Sequence, residues 1–140
     1  MINPMHRFRK LRPDDKGATA VEFALIAPVL VMLTMGIIEF GLILYTYTAA
    51  GVASRDVTRR IATGRIPASN ASSTLTPQLP QWVRAFATVT VTQTTPATPA
   101  TNIITVNVSF PAGKATPTNL LSSAYGAVTL QTATAMQQES

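Results

Sequence analysis

The stretch Lys16-Gly17-Ala18-Thr19-Ala20-Val21-Glu22-Phe23 opens the longest apolar run of the chain and decides its fold. From Phe23 to Ile38 there are sixteen residues without a charge. A membrane-spanning helix needs about 20 mostly apolar residues, so the run predicts a span of about residues 21–44 that tolerates Glu22 or Glu39 near one edge. A charge at the centre of a bilayer costs roughly 2.5–3.5 kcal/mol and less near its edge, so Glu22 still calls for a partner.

A cut of the chain after Gly17 would create such a partner. Ala18 would then carry a free ammonium group, and Glu22 would be the fifth residue of the shortened chain. Residues four apart on a helix are neighbours on its surface. The ammonium and the carboxylate could therefore neutralise each other within one subunit or between packed subunits.

A basic leader, Gly17, the pair Glu22-Phe23 and an apolar helix together resemble a type IV prepilin processing site. Over about residues 7–65, the chain resembles the TadE-like pseudopilins. The segments that carry this resemblance are Gly17-Ala18-Thr19-Ala20-Val21-Glu22-Phe23-Ala24-Leu25-Ile26-Ala27-Pro28, Gly36-Ile37-Ile38-Glu39-Phe40-Gly41 and Ala50-Gly51-Val52-Ala53-Ser54-Arg55.

The resemblance implies a minor pilin of a tight-adherence pilus or related secretion machine, with a structural role in pilus biogenesis, adhesion or secretion. Its implied partners are a prepilin peptidase that cuts between Gly17 and Ala18, other pilins and minor pilins, and the assembly platform of the inner membrane. The implied location is the bacterial inner membrane, with a cytoplasmic N-terminus, an exported C-terminal domain and a route into an extracellular pilus. The candidate contacts with a neighbouring subunit are Pro28, Glu39, Arg55 and Arg59.

The sequence leaves open two alternatives to a processed pilin. The first is an uncut, signal-anchored periplasmic scaffold or binding module. The second is a secretory signal peptide, whose apolar core would be about 7–15 residues and thus about half the length of the run found here. Glu39 also has two interpretations, since it is either a carboxylate wetted at the membrane boundary or the partner of an arginine such as Arg55 in a neighbouring subunit.

The charges argue against a nucleic-acid partner. The chain has eleven basic and six acidic residues, but five of the basic residues precede Gly17. The remainder carries a net charge of only about +2, and it has no basic patch interleaved with the stacking aromatics that single-strand binding uses. The chain has no cysteine, and its one histidine is His6. We therefore predict no enzymatic activity, no metal site and no cofactor.

The pattern of the chain predicts an α+β fold, a pilin-like lollipop with a long N-terminal helix and a small antiparallel sheet. The predicted parts are the leader 1–17, the helix 18–63 and its Gly64 stop, a linker 64–81 and a β domain 82–140. Period-two alternation over about 83–92, 103–110 and 127–136 predicts three strands, and 119–125 a short helical turn. The distal helix, about Val52–Ile61, is the predicted cover of the sheet, and Asp56 with Arg60 forms an i,i+4 pair.

Overall fold

The computed structural model describes residues 15–120, 122–125 and 127–139. Most of the predicted leader, 1–14, therefore lies outside the described residues. The described part begins with a long helix, α1 (Asp15–Ala62), which continues past Pro28. The chain divides into two units, the first ending at Met35 and the second spanning Gly36–Ser140.

The first part of α1 exposes apolar side chains on every side. From Ala18 to Ile38 each residue is exposed, apart from the half-exposed Ala27 and Gly36. Phe23, for example, is 67% exposed. Among the described residues α1 is the one helix that is long and apolar enough to cross a membrane, and none of its most apolar 18-residue window is buried. An apolar surface on all sides of a helix is typical of a membrane span.

The later part of α1 packs into the core of the second unit. Its buried positions recur at helical spacing and are mostly small: Ala50, Ala53, Ser54, Val57, Thr58 and Ile61. Small side chains let the helix approach the sheet closely, and Ser54 Oγ donates to the carbonyl of Val106 at 3.1 Å. This contact confirms that the distal helix covers the sheet.

Three strands of the described residues form one antiparallel sheet in the order β1 (Thr88–Gln93), β2 (Ile103–Pro111) and β3 (Thr129–Gln137). Strand β2 lies in the middle, and its alternate side chains form the centre of the core: Ile104, Val106, Val108 and Phe110. The opposite face is rich in threonine. The predicted α+β class and its antiparallel sheet are confirmed.

The segment predicted as a linker, 64–81, is instead folded against the core. It contains the helix α2 (Ala71–Leu75) between two 3-10 turns, Ala68–Asn70 and Thr76–Gln78. Its apolar residues are buried, with exposed fractions of 2% at Ala71, 0% at Leu75 and 1% at Leu79. The expectation of a linker was wrong because these three residues repeat every fourth position and so share one face of a helical segment.

Two element boundaries also differ from the expectations. Strand β1 begins at Thr88, because Gln81–Phe86 forms turns in which the Phe86 and Ala87 amides donate to the Val83 carbonyl. Between β2 and β3 lie a 3-10 turn, Ala112–Lys114, and the short helix α3 (Ser122–Tyr125), close to the helical turn predicted there.

Candidate assembly and processing site

The predicted processing motif lies in the first turns of α1, fully accessible to a partner. Gly17, Ala18, Glu22 and Phe23 are all exposed, and Ala18 and Glu22 are four residues apart on the continuous helix. The helix therefore brings Ala18, the predicted chain start after a cut, and the carboxyl group of Glu22 to neighbouring surface positions. This geometry suits the ion pair expected after a cut, although Ala18 is still an internal residue of the uncut chain.

Glu39 has its partners within its own chain. It is 2% exposed, and its two carboxyl oxygens accept hydrogen bonds from the hydroxyls of Thr116, at 2.9 Å, and Thr118, at 2.6 Å. The Asn119 amide donates to the Thr116 hydroxyl at 3.3 Å, and Asn119 itself adopts a positive φ of 51°. The burial contradicts a carboxylate wetted at the membrane boundary. A contact of Glu39 with an arginine of a neighbouring subunit stays a prediction.

The burial of Glu39 also marks the end of the exposed apolar part of α1. Glu39 and Ile43, at 2% and 8% exposure, pack against the folded domain and cannot face lipid. The exposed apolar stretch runs from Ala18 to Ile38 and, at 1.5 Å per residue, is about 31 Å long, close to the roughly 30 Å hydrocarbon core. The predicted span of 21–44 extends beyond the end of this exposed stretch, into residues that pack on the folded domain.

A second polar contact, about two turns further along α1, holds the segment that precedes Thr116 against the helix. The Thr46 hydroxyl, fully buried, donates to the Ala115 carbonyl at 2.7 Å. The indole nitrogen of Trp82 donates to the same carbonyl at 2.9 Å and lies 3.2 Å from the Thr46 hydroxyl. Buried polar groups need such partners because an unpaired group costs about 1–3 kcal/mol. Glu39 and Thr46 together hold residues 115–118 against α1.

The Tyr125 hydroxyl also interacts with the charge of Glu39, and its pKa is shifted. Burial raises the pKa of the Tyr125 hydroxyl, and the charge of Glu39 adds to the shift. The Tyr125 hydroxyl is buried without a hydrogen-bond partner in the described structure. Tyr125 therefore stays neutral beside the carboxyl group of Glu39.

The arginines predicted to contact a neighbour are on the surface of α1. Arg55 and Arg59 are both exposed, and Arg55 lines a groove of about 230 Å³ together with Tyr47 and Thr132. The predicted pair is present, since Arg60 Nε lies 3.0 Å from Asp56 Oδ2. The hydrogen bond from Arg60 holds the pKa of Asp56 below its ordinary value of 3.8.

Pro28 lies inside the exposed apolar part of α1, where its side chain is itself exposed. The structure therefore does not bring the predicted assembly residues to one place. Gly17 to Phe23, Pro28, Glu39 and the two arginines occupy successive levels of the same helix. Within residues 15–120, 122–125 and 127–139, no three histidine or acidic side chains lie close enough to hold a metal ion.

Thr116 and Thr118 were not predicted from the sequence as partners of Glu39. The contacts join residues 77 and 79 positions apart, and threonines are common throughout the C-terminal half. The sequence does indicate that Glu39 needs a partner, because a carboxyl group in an apolar environment requires hydrogen-bond donors. That requirement predicts that a partner exists without identifying it.

Comparison with known families gives a match over the N-terminal part of the chain. The sequence model of the family described as TadE-like protein matches residues 17–59, from the predicted cut site into the distal part of α1. No curated protein and no solved structure gives a significant match to the chain. The family match confirms the resemblance predicted from the sequence.

Proposed function

Because residues 17–59 match the TadE-like family, we propose that this chain is a minor pilin of a tight-adherence pilus assembly or secretion machine. It is cut by a prepilin peptidase between Gly17 and Ala18, and its role is structural rather than enzymatic. The family match is the observation that carries the proposal. Its location is the inner membrane, with the N-terminus in the cytoplasm and the folded domain exported.

The exposed surface of α1 supports this role. A helix with apolar side chains on all sides between Ala18 and Ile38 is suited to lipid and equally to the apolar helices of neighbouring pilins. Transfer from the membrane into an assembly exchanges one apolar environment for the other. Such a transfer needs little change in the solvation of the helix, except at Glu22.

Glu22 sets the register of the assembly in this proposal. Its exposed carboxyl group takes the new ammonium of Ala18 on an adjacent subunit as its partner when both helices are surrounded by apolar groups. A charge-assisted hydrogen bond contributes about 1.5–3 kcal/mol, so only the correct axial position of the two helices satisfies both charges.

The cut is tested by the intact mass of the membrane-extracted protein from hosts with and without the prepilin peptidase. The expected result is a loss of residues 1–17 in the first host alone. A Gly17→Val variant serves as the control, since it should keep its full mass in both hosts. A full-length mass of the unaltered chain in the presence of the peptidase would favour an uncut, signal-anchored module and would contradict the pilin proposal.

The role of Glu22 is tested by Glu22→Gln, which keeps the shape of the side chain and removes its charge. We expect normal membrane insertion and cutting but about a tenfold loss of incorporation into isolated pili or assembly complexes, since 1.4 kcal/mol corresponds to a factor of ten. Thr34→Val changes the polarity of another exposed residue of the same helix and is the matched control. Unchanged incorporation of Glu22→Gln would rule out this assembly role.

A further inference from the structure

Within Gly36–Ser140, the contacts along α1 order the folded domain by its distance along the helix from Ile38. In order along the helix, Glu39 contacts Thr116 and Thr118, Thr46 contacts Ala115, Ser54 contacts Val106 and Thr134, and the Ala62 carbonyl accepts from the Glu139 amide. The segment around 112–120 is therefore at the level where the exposed apolar stretch ends. The chain end near Glu139 is at the opposite end of the domain.

This end of the domain exposes apolar side chains. Leu120 follows the Glu39-bound Thr118 by two residues and is 57% exposed. Val128 is 51% exposed, and its carbonyl accepts from the Ala112 amide at 2.8 Å. Phe86 is exposed as well, with the Lys114 ammonium 5.2 Å from its ring centre. We call Phe86, Lys114, Leu120 and Val128 the proximal surface.

We propose that the proximal surface rests on the lipid headgroups of the membrane that α1 spans, so that the domain itself is a second membrane contact. The inference rests on the proposed anchorage by Ala18–Ile38. The interfacial layer extends about 5–7 Å beyond the hydrocarbon on each side, and Glu39 is only one residue, about 1.5 Å, beyond Ile38. The segment that binds Glu39 is therefore within this layer.

The chemistry of the segment fits lipid better than a protein partner. Residues 111–128 contain no acid and a single charge, Lys114, which suits the negative surface of an anionic membrane. Exposed leucine, valine and phenylalanine side chains beside a lysine are the composition of an interfacial contact.

The test places an environment-sensitive fluorophore at single cysteines in the full chain, which has no cysteine of its own. Leu120→Cys and Val128→Cys report on the proximal surface. Ile103→Cys is the matched control, because Ile103 is 45% exposed and lies at the opposite end, next to the Asn102 carbonyl that accepts from the Gln138 amide. Each variant is reconstituted into phosphatidylethanolamine–phosphatidylglycerol vesicles with and without lipids brominated near the headgroup.

We expect quenching by bromine at positions 120 and 128 to be at least about twofold that at 103, since interfacial side chains enter the outer 5–10 Å of the bilayer. Equal quenching at all three positions, with the protein floating with the vesicles, overturns the membrane contact alone. Protection from solvent without quenching identifies a protein cover and also overturns it. Failure to float with vesicles overturns both the contact and the proposed anchorage.

Discussion

Two carboxyl groups on α1 occupy opposite surroundings although both interrupt apolar sequence. Glu22 is exposed on a bare helix, whereas Glu39 is buried and accepts hydrogen bonds from Thr116 and Thr118. The first is available for a partner that arrives later, and the second already contributes to the fold. Similar positions in the sequence pattern therefore have different surroundings, and the proposed role of Glu22 is in assembly whereas that of Glu39 is in folding.

We predict that Glu39→Ala lowers the free energy of unfolding of the full chain in detergent by about 1.5–3 kcal/mol, because the Thr116 and Thr118 hydroxyls lose their acceptor. Glu39→Gln keeps one acceptor oxygen and should lose less. Urea unfolding followed by the fluorescence of Trp82, the single tryptophan, measures the change. Glu22→Ala is the control and should stay within about 0.5 kcal/mol of the unaltered chain. Equal effects of Glu39→Ala and Glu22→Ala would contradict the buried role.

The Asp56–Arg60 pair predicts a small dependence of stability on pH. Because the pKa of Asp56 is lowered in the fold, its contribution is present above the ordinary value of 3.8 and is lost as the pH falls through the lowered pKa. Both side chains are more than a third exposed, so solvent screening limits the contribution to about 0.2–0.5 kcal/mol. Asp56→Asn should therefore be less stable than the unaltered chain by this amount at pH 7 in urea unfolding. At pH 3 the gap should narrow, and a gap that widens on acidification would contradict the assignment.

At the scale of elements, the end of α1 shows a glycine used for its backbone freedom. Gly64 has a φ of +70°, and the Gly64 and Arg65 amides donate to the carbonyls of Ile61 and Arg60. These two bonds form the Schellman motif that commonly ends helices. The motif turns the chain back along the domain, so that α2 reaches the core.

We predict that the same substitution has opposite effects at two glycines. Gly64→Ala should lower the unfolding free energy by about 1–2 kcal/mol, because a left-handed backbone is strained for alanine even where the added carbon meets no atom. Gly51→Ala lies within α1, its new carbon would meet only Thr132 Oγ1 at 3.7 Å, and it should raise the free energy by about 0.5–1 kcal/mol. Thermal unfolding of the two variants measures both signs, and changes of equal sign would contradict this account.

Periodic patterns made most elements predictable from the sequence. The long apolar run gave α1, and alternation gave the buried face of β2, because both patterns follow from the geometry of a single element. The helical structure of segment 64–81 was not predicted because serine, threonine and proline dominate the segment. Its apolar residues Ala71, Leu75 and Leu79 are spaced four positions apart, a pattern that is visible only when these few residues are considered together.

The candidate site was predictable only in its local part. Gly17, Ala18 and Glu22 form a short motif, so their spacing can be read directly. The environment of Glu39 depends on a turn 77 residues away, and no local rule determines which threonine approaches it. For the same reason the end of the exposed apolar stretch was not predicted, since the burial of Ile43 depends on the same tertiary packing.

For the whole molecule, the orientation of α1 in the membrane depends on where the span ends. Counted over residues 1–65, the five basic residues before the span barely outnumber the four after it, Arg55, Arg59, Arg60 and Arg65. Orientation depends on basic residues within about 15–20 positions of the span ends. With the span ending at Ile38, Arg55 lies 17 residues beyond it and the other three arginines lie more than 20 beyond. The leader residues from Arg7 to Lys16 are all within 11 positions of Ala18.

We therefore predict that the leader alone sets the orientation. Replacing Arg7, Arg9 and Lys10 by glutamine should reduce the exported fraction of the domain by about half or more, since the charge difference across the span is largely removed. A C-terminal alkaline phosphatase fusion, active only outside the cytoplasm, reports this fraction independently of the cut after Gly17.

The matched control is the triple replacement of Arg55, Arg59 and Arg65, which leaves the Asp56–Arg60 pair intact. It should leave export unchanged, because these arginines lie at or beyond the edge of the effective range. Increased export in the control would show that they oppose translocation, and the span would then have to end nearer Leu44.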